Sequence, residues 1–156
     1  MINNLGINML KWKRIKGKIK TSLKAYKFGI VNFRKLIKFL KIAPDDSDLK
    51  NTPQMSVFEA HEQLKNGNLL ILDVRSPKDF KNGYIEGSIH VDLFNVVEEI
   101  SHLPRDKNIG VLCYGGGASL TVTQMFLDNG LKNVKNIKGG IIRFALDDDE
   151  SLLEDL

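Results

Sequence analysis

A single cysteine in 156 residues, Cys113, is too few for a disulfide within the chain or for a metal site built from several thiolates. Long apolar runs are missing too. The longest uncharged stretch near the N-terminus, Met1–Leu10, falls well short of the ~18 residues of a spanning helix. It also argues against a secretory h-region, so the chain is expected in the cytoplasm. Acid is absent from one whole region: residues 1–44 hold twelve Lys/Arg and no Asp or Glu. The other eleven Lys/Arg share residues 45–156 with all nineteen Asp/Glu, so the net +4 hides a +12 arm and a −8 remainder. Hydrophobic residues at 42% and charged residues at 27% are globular values, which exclude wholesale disorder.

The basic region divides the chain into an extension with its linker, residues 1–48, and a domain, residues 49–156. At 100° per residue Tyr26, Ile30, Phe33, Leu36, Ile37 and Leu40 share one face, with Lys27, Arg34, Lys38 and Lys41 opposite. This predicts a basic amphipathic helix. Ala43-Pro44-Asp45-Asp46-Ser47-Asp48 ends it as an acidic, linker-like stretch. Such a helix can pack on the acidic domain or on another copy. It can also lie on an anionic membrane surface, which would put the chain on the inner face of the membrane. Nucleic-acid binding is disfavoured, because phosphates alone do not require an apolar stripe.

Beyond residue 52 the pattern alternates between helix and strand. Ser56 with Glu59 has capping-box spacing, and its helix should run to about Lys65. Leu69 to Val74 is a continuous apolar strand carrying an acid near its end, as buried parallel strands do. Ser76-Pro77 opens a short helix closed by Gly83. A turn leads into a short strand ending at Val91, Asp92 to His102 reads as helix, and Pro104 stops it. Ile109–Cys113 is a strand, Ala118–Asp128 a helix, Asn133–Ile137 a strand, and Ile141–Leu146 a short helix before an acidic tail. The alternation implies an α/β domain whose mostly parallel sheet is flanked by helices in three layers, with chemistry at the carboxyl ends of its strands. Two of those ends stand out: Asp73 to Arg75, and Cys113.

Cys113 is followed by Tyr114, Gly115, Gly116, Gly117, Ala118 and Ser119, where a helix begins. Consecutive glycines let the backbone curl until several N–H groups point inward, and the helix start adds positive potential. An anion is favoured at the centre of such a cradle, so a cysteine sulfur placed there is expected to be held as a thiolate. Taken alone, the motif fits equally a buried strand cysteine beside a Gly-rich turn. A cysteine phosphatase needs Arg at the sixth position after the cysteine, and Ser119 stands there. Nor is Gly115-Gly116-Gly117 a dinucleotide fingerprint, since its spacing differs. The histidines His61, His90 and His102 have no partner spacing of a metal site, and His90 reads as structural.

Asp73-Val74-Arg75, Asp79-Phe80 and Gly83-Tyr84-Ile85-Glu86-Gly87-Ser88 resemble the rhodanese family. The strand ending at Cys113 with its six-residue loop, and Val134 to Gly140 followed by Phe144 in place of a Trp, extend the likeness over residues 52–146. The resemblance implies a rhodanese-like fold and a sulfurtransferase. Cys113 would carry sulfane sulfur as a persulfide, with loop residues 114–119 as its cradle and Asp73 and Arg75 in support. Neither a metal nor an organic cofactor is implied. The donor is a small-molecule or protein sulfur compound and the acceptor an external thiol or other nucleophile, because the chain has no second cysteine to resolve the persulfide. Many relatives carry Arg or Lys in this loop, often at the position of Ala118. The neutral loop here disfavours thiosulfate and leaves open a non-catalytic rhodanese module used for binding or scaffolding. Arg75 could supply a cation near the pocket or pair structurally, for instance with Asp79.

Overall fold

The computed structural model describes residues 46–93 and 96–147. The basic arm with its apolar stripe, and the tail beyond Asp147, lie outside the described residues.

Helix α1 (Asp46–Asn51) precedes a two-residue strand β1 (Gln54–Met55) and helix α2 (Val57–Lys65). Strand β2 (Leu69–Asp73), helix α3 (Pro77–Asn82) and strand β3 (Ile89–His90) follow. Next come helix α4 (Val96–Glu99), which tightens into a 3₁₀ turn at Ile100–His102, and strand β4 (Asn108–Leu112). Helix α5 (Gly117–Asp128), strand β5 (Val134–Ile137) and helix α6 (Gly140–Asp147) complete the domain. The five strands are all parallel, in the order β1-β5-β4-β2-β3.

Local chemistry explains most boundaries. The Ser56 and Ser76 hydroxyls accept the backbone N–H of Glu59 and Asp79, capping α2 and α3 as their spacing predicts. The apolar strands β2 and β4 lie side by side in the middle of the sheet, paired from Leu69–Asn108 to Asp73–Leu112. Three readings change. The linker-like stretch runs into α1 from Asp46. Strand β1 was not foreseen. The helix expected from Asp92 begins at Val96, because the Val91 amide still donates to the Asp73 carbonyl and keeps the chain extended there. It closes in a 3₁₀ turn, with Leu103 extended ahead of Pro104.

Alternation along the strands builds two apolar layers. Ile109, Val111 and Cys113 face one layer with Val122 and Phe126 of α5. Leu112 faces the other, with Ile137 of β5 and Ile141 and Phe144 of α6. Phe144 is fully buried and meets His61 edge-on, with ring centroids 4.3 Å apart. This parity turns the Cys113 side chain toward α5. Chain order reverses across the β2–β4 pair, and a crevice beyond the carboxyl ends of such strands is where open α/β sheets bind ligands.

Candidate active site

The loop between β4 and α5 is held from behind. The backbone N–H groups of Ile141 and Ile142, at the start of α6, donate to the carbonyls of Cys113 (2.8 Å) and Tyr114 (3.1 Å). These are helix-start donors without intrahelical partners, so the loop satisfies them and is fixed in return. Contact this close requires glycine. Gly140 has φ +58°, and a Cβ there would sit 2.4 Å from the Cys113 carbonyl oxygen and 2.5 Å from that of Tyr114.

With its carbonyls drawn to α6, the loop turns a donor toward the sulfur. Gly116 adopts φ +89° and caps α5. Its N–H donates to Cys113 Sγ at 3.2 Å. On the α5 side Ser119 Oγ lies 3.1 Å from Sγ. Cys113 is buried at 3% exposure and Ser119 fully so, while Tyr114 is half-buried and Gly115 exposed. Gly117 is the first residue of α5. Ala118, where a loop cation would be expected from the resemblance, is buried in the apolar layer under α5.

Arg75 is not available as a donor-binding cation. Its Nε donates to both Asp73 carboxylate oxygens at 2.9 Å, and its Nη2 to Asp73 Oδ2 at 2.6 Å and to the Gly83 carbonyl at 2.8 Å. The partner is therefore Asp73 and not Asp79, whose carboxylate instead accepts from the Ser76 hydroxyl. Asp73 Oδ1 also accepts the Arg75 backbone N–H at 3.0 Å. Burial by itself would loosen the guanidinium's proton, but the hydrogen bond and charge of Asp73 more than offset this and hold Arg75 above its ordinary range. A group raised in this way contributes its full stability below its unfolded value and loses it only as pH climbs past the folded one, far above neutrality. Removing one partner of such a buried pair costs about 3–5 kcal/mol. The guanidinium carbon lies 5.4 Å from the centroid of the Tyr114 ring, so the pair also supports the active loop. His90 Nε2 lies 2.8 Å from the Arg75 carbonyl, a pure acceptor, so that nitrogen carries a proton and the ring is structural.

Sequence reasoning missed two residues, Asn136 and Gln54. Asn136 is 1% exposed in β5, where its Oδ1 accepts from the Ser119 hydroxyl at 2.6 Å and its Nδ2 donates to Gln54 Oε1 at 3.1 Å. Asn136 shares a strand face with the apolar Val134, and a polar residue at that inward-facing position was the available signal. Among the described residues no cluster of three His, Cys, Asp or Glu could hold a metal ion. No helix among them is long and apolar enough to cross a membrane.

A cysteine at the carboxyl end of a central parallel strand, cradled by a glycine loop, defines a class of α/β domains that handle an anion or a charged sulfur. The profile of the rhodanese-like domain matches residues 56–146, and the chain belongs to that family. It is similar to the thiosulfate sulfurtransferase GlpE of Pseudomonas paraeruginosa, with 30% identity over 92 residues, 59% of this chain and 84% of that protein. It is similar as well to the tRNA uridine(34) hydroxylase of Buchnera aphidicola, with 31% identity over 73% of this chain but only 39% of that protein. Among solved structures, the rhodanese-related protein of Thermoplasma volcanium superposes with a TM-score of 0.53 at 27% identity, covering 66% of this chain and 92% of that one.

Proposed function

We propose that the chain is a sulfurtransferase that carries sulfane sulfur on Cys113. The observation that supports this best is the surroundings of Sγ. One backbone N–H and one hydroxyl reach it, in a loop whose carbonyls are tied away to α6. The Gly116 N–H, fixed on the sulfur in advance, stabilises negative charge there without moving during the reaction, and the Ser119 hydroxyl lies within reach as a second donor. The Cys113 thiolate attacks the outer sulfur of a donor persulfide, the donor's S–S bond breaks, and the donor leaves as a thiolate. An acceptor thiolate or cyanide then attacks the outer sulfur of the Cys113 persulfide and the thiolate returns. Each step exchanges one S–S or S–C bond for another, with no net oxidation and no need for a metal or organic cofactor. A relative matched over 84% of its own length is itself named a thiosulfate sulfurtransferase.

The donor is set by charge. The residues from Tyr114 to Ser119 carry no cation, and Arg75 is spent on Asp73. The loop therefore offers a sulfonate no forked partner of its own, and a small or protein-borne persulfide fits it better. With cyanide as acceptor, thiosulfate should show a KM about tenfold or more above that of a small persulfide, the order of one lost charge-assisted contact. Gly115→Arg places a guanidinium at the exposed loop position and should lower the thiosulfate KM. Equal use of both donors by the wild type, with no gain in the variant, contradicts the assignment of donor class.

We also propose that residues 1–42 bind an anionic lipid surface. Each of the twelve cations is worth about 1 kcal/mol near such a surface, and the apolar stripe is more than phosphate binding alone requires. The full chain should sediment with vesicles of anionic lipid and not with neutral ones. Negligible sedimentation with both contradicts this.

A further inference from the structure

Resting on the assignment of Cys113 as the sulfur carrier, we propose that Ser119, Asn136 and Gln54 form a reversible hydrogen-bond chain whose direction follows the charge on the sulfur. Sγ lies 3.1 Å from Ser119 Oγ, which lies 2.6 Å from Asn136 Oδ1, and Asn136 Nδ2 lies 3.1 Å from Gln54 Oε1. Ser119 and Asn136 are fully enclosed, whereas Gln54 is exposed at the edge strand. Water therefore meets the chain at the Gln54 end.

The hydroxyl of Ser119 has one proton and two acceptors within reach, so it cannot serve both at once. In the arrangement observed, Asn136 Nδ2 is committed to Gln54, its Oδ1 takes the hydroxyl proton, and Ser119 Oγ is left as an acceptor. This suits a neutral thiol, whose S–H donates to Oγ. When the proton leaves to a solvent base, the sulfur keeps the electron pair and needs a donor. The hydroxyl then turns to Sγ, Asn136 exchanges the ends of its amide so that Nδ2 donates to Oγ, and Gln54 does the same so that Nε2 donates to Asn136 Oδ1. Each of Sγ, Oγ, Oδ1 and Nδ2 keeps a hydrogen-bond partner in either state, which two amides and a hydroxyl can achieve and a carboxylate or an ammonium cannot. Ser119 touches the reacting sulfur, while Asn136 and Gln54 are positioning residues that act through it. The Gly116 N–H donates to Sγ in both states.

Other charged or titratable groups on the elements packed around this strand end are the Asp73–Arg75 pair with His90, Tyr114 in the loop, Lys135 of β5 paired with Glu59 of α2, Lys138 after β5, Arg143 on α6, and Asp48 and Lys50 on α1, which packs on α5. Helix α5 carries none before Asp128. None of them belongs to the chain, so it can be tested by changing only its exposed end.

Gln54→Glu makes that end an acceptor only and Gln54→Lys a donor only. Both are surface changes. The readout is the pH profile of Cys113 alkylation by iodoacetamide on the full chain, which requires no sulfur transfer and so stands apart from the failure or success of the proposed activity. About 0.5 M salt shortens the screening length to roughly 4 Å and suppresses direct charge effects. Gln54→Glu should move the profile to higher pH and slow alkylation near neutrality about threefold or more, and Gln54→Lys should do the reverse. Both shifts should vanish in a Ser119→Ala background, and equally in Asn136→Leu, which serves should the first variant not fold. Equal shifts with and without Ser119 would show action through space and overturn the chain, as would no shift in the wild-type background.

Discussion

Cys113→Ser is expected to remove sulfur transfer while leaving the fold in place. A serine oxygen is far less nucleophilic than a thiolate and cannot hold a sulfane sulfur as a persulfide, so turnover should fall about a hundredfold or more. The site itself accepts the change. The new hydroxyl occupies nearly the same volume at a buried position, with the Gly116 N–H 3.2 Å from the atom it replaces and Ser119 Oγ at 3.1 Å. One neutral hydrogen bond more or less is worth about 1 kcal/mol, so the melting temperature should move by no more than about 4–8 °C. Steady-state assays beside thermal melts read both quantities. A folded Ser variant that keeps more than a few per cent of turnover contradicts the mechanism.

Gly140→Ala should be the most damaging single methyl in the domain. Gly140 combines φ +58° with a Cβ direction that ends 2.4 Å from the Cys113 carbonyl oxygen. The left-handed backbone costs an alanine roughly 1–2 kcal/mol and forcing backbone atoms apart about 1–3 kcal/mol more. A melting temperature lower by about 10 °C or more follows for a domain of this size. Because the Ile141 and Ile142 amides can then no longer hold the carbonyls of Cys113 and Tyr114, the loop loses its anchor and Cys113 alkylation should change with it. Gly130→Ala is the matched control: its φ is +88°, but nothing lies within 4 Å of the added methyl. It should lose only the backbone cost and leave Cys113 unaffected. Equal melting shifts for the two variants would show that the contact between α6 and the active loop carries no weight.

The parts of this domain legible in the sequence are those fixed by neighbours along the chain. Ser56 and Ser76 announce α2 and α3 because a cap reaches only three residues forward, and both hydroxyls accept the amides their spacing specifies. The apolar runs of β2 and β4 announce a buried parallel pair, and Cys113 with its glycines announces a cradle. What escaped depends on contacts distant in sequence. Strand β1 has two residues and exists because the Asn136 amide donates to the Pro53 carbonyl and the Lys138 amide to that of Met55. Asn136 is an unremarked strand residue until α5 brings Ser119 to one end of its amide and β1 brings Gln54 to the other. In the sequence the partner of Arg75 stays open, with Asp79 one acid among those nearby. Asp73 and Arg75, however, leave an extended strand, where residues two apart point the same way and the carboxylate meets the guanidinium fork directly.

The central claim, that Cys113 accepts and releases a sulfur atom, is tested most directly by intact-protein mass spectrometry after brief exposure to a small-molecule persulfide. The chain should gain the mass of one sulfur atom, mapped by peptide analysis to Cys113, and lose it on addition of cyanide or a thiol. A chain that gains nothing while its Cys113 still alkylates with iodoacetamide would contradict the account.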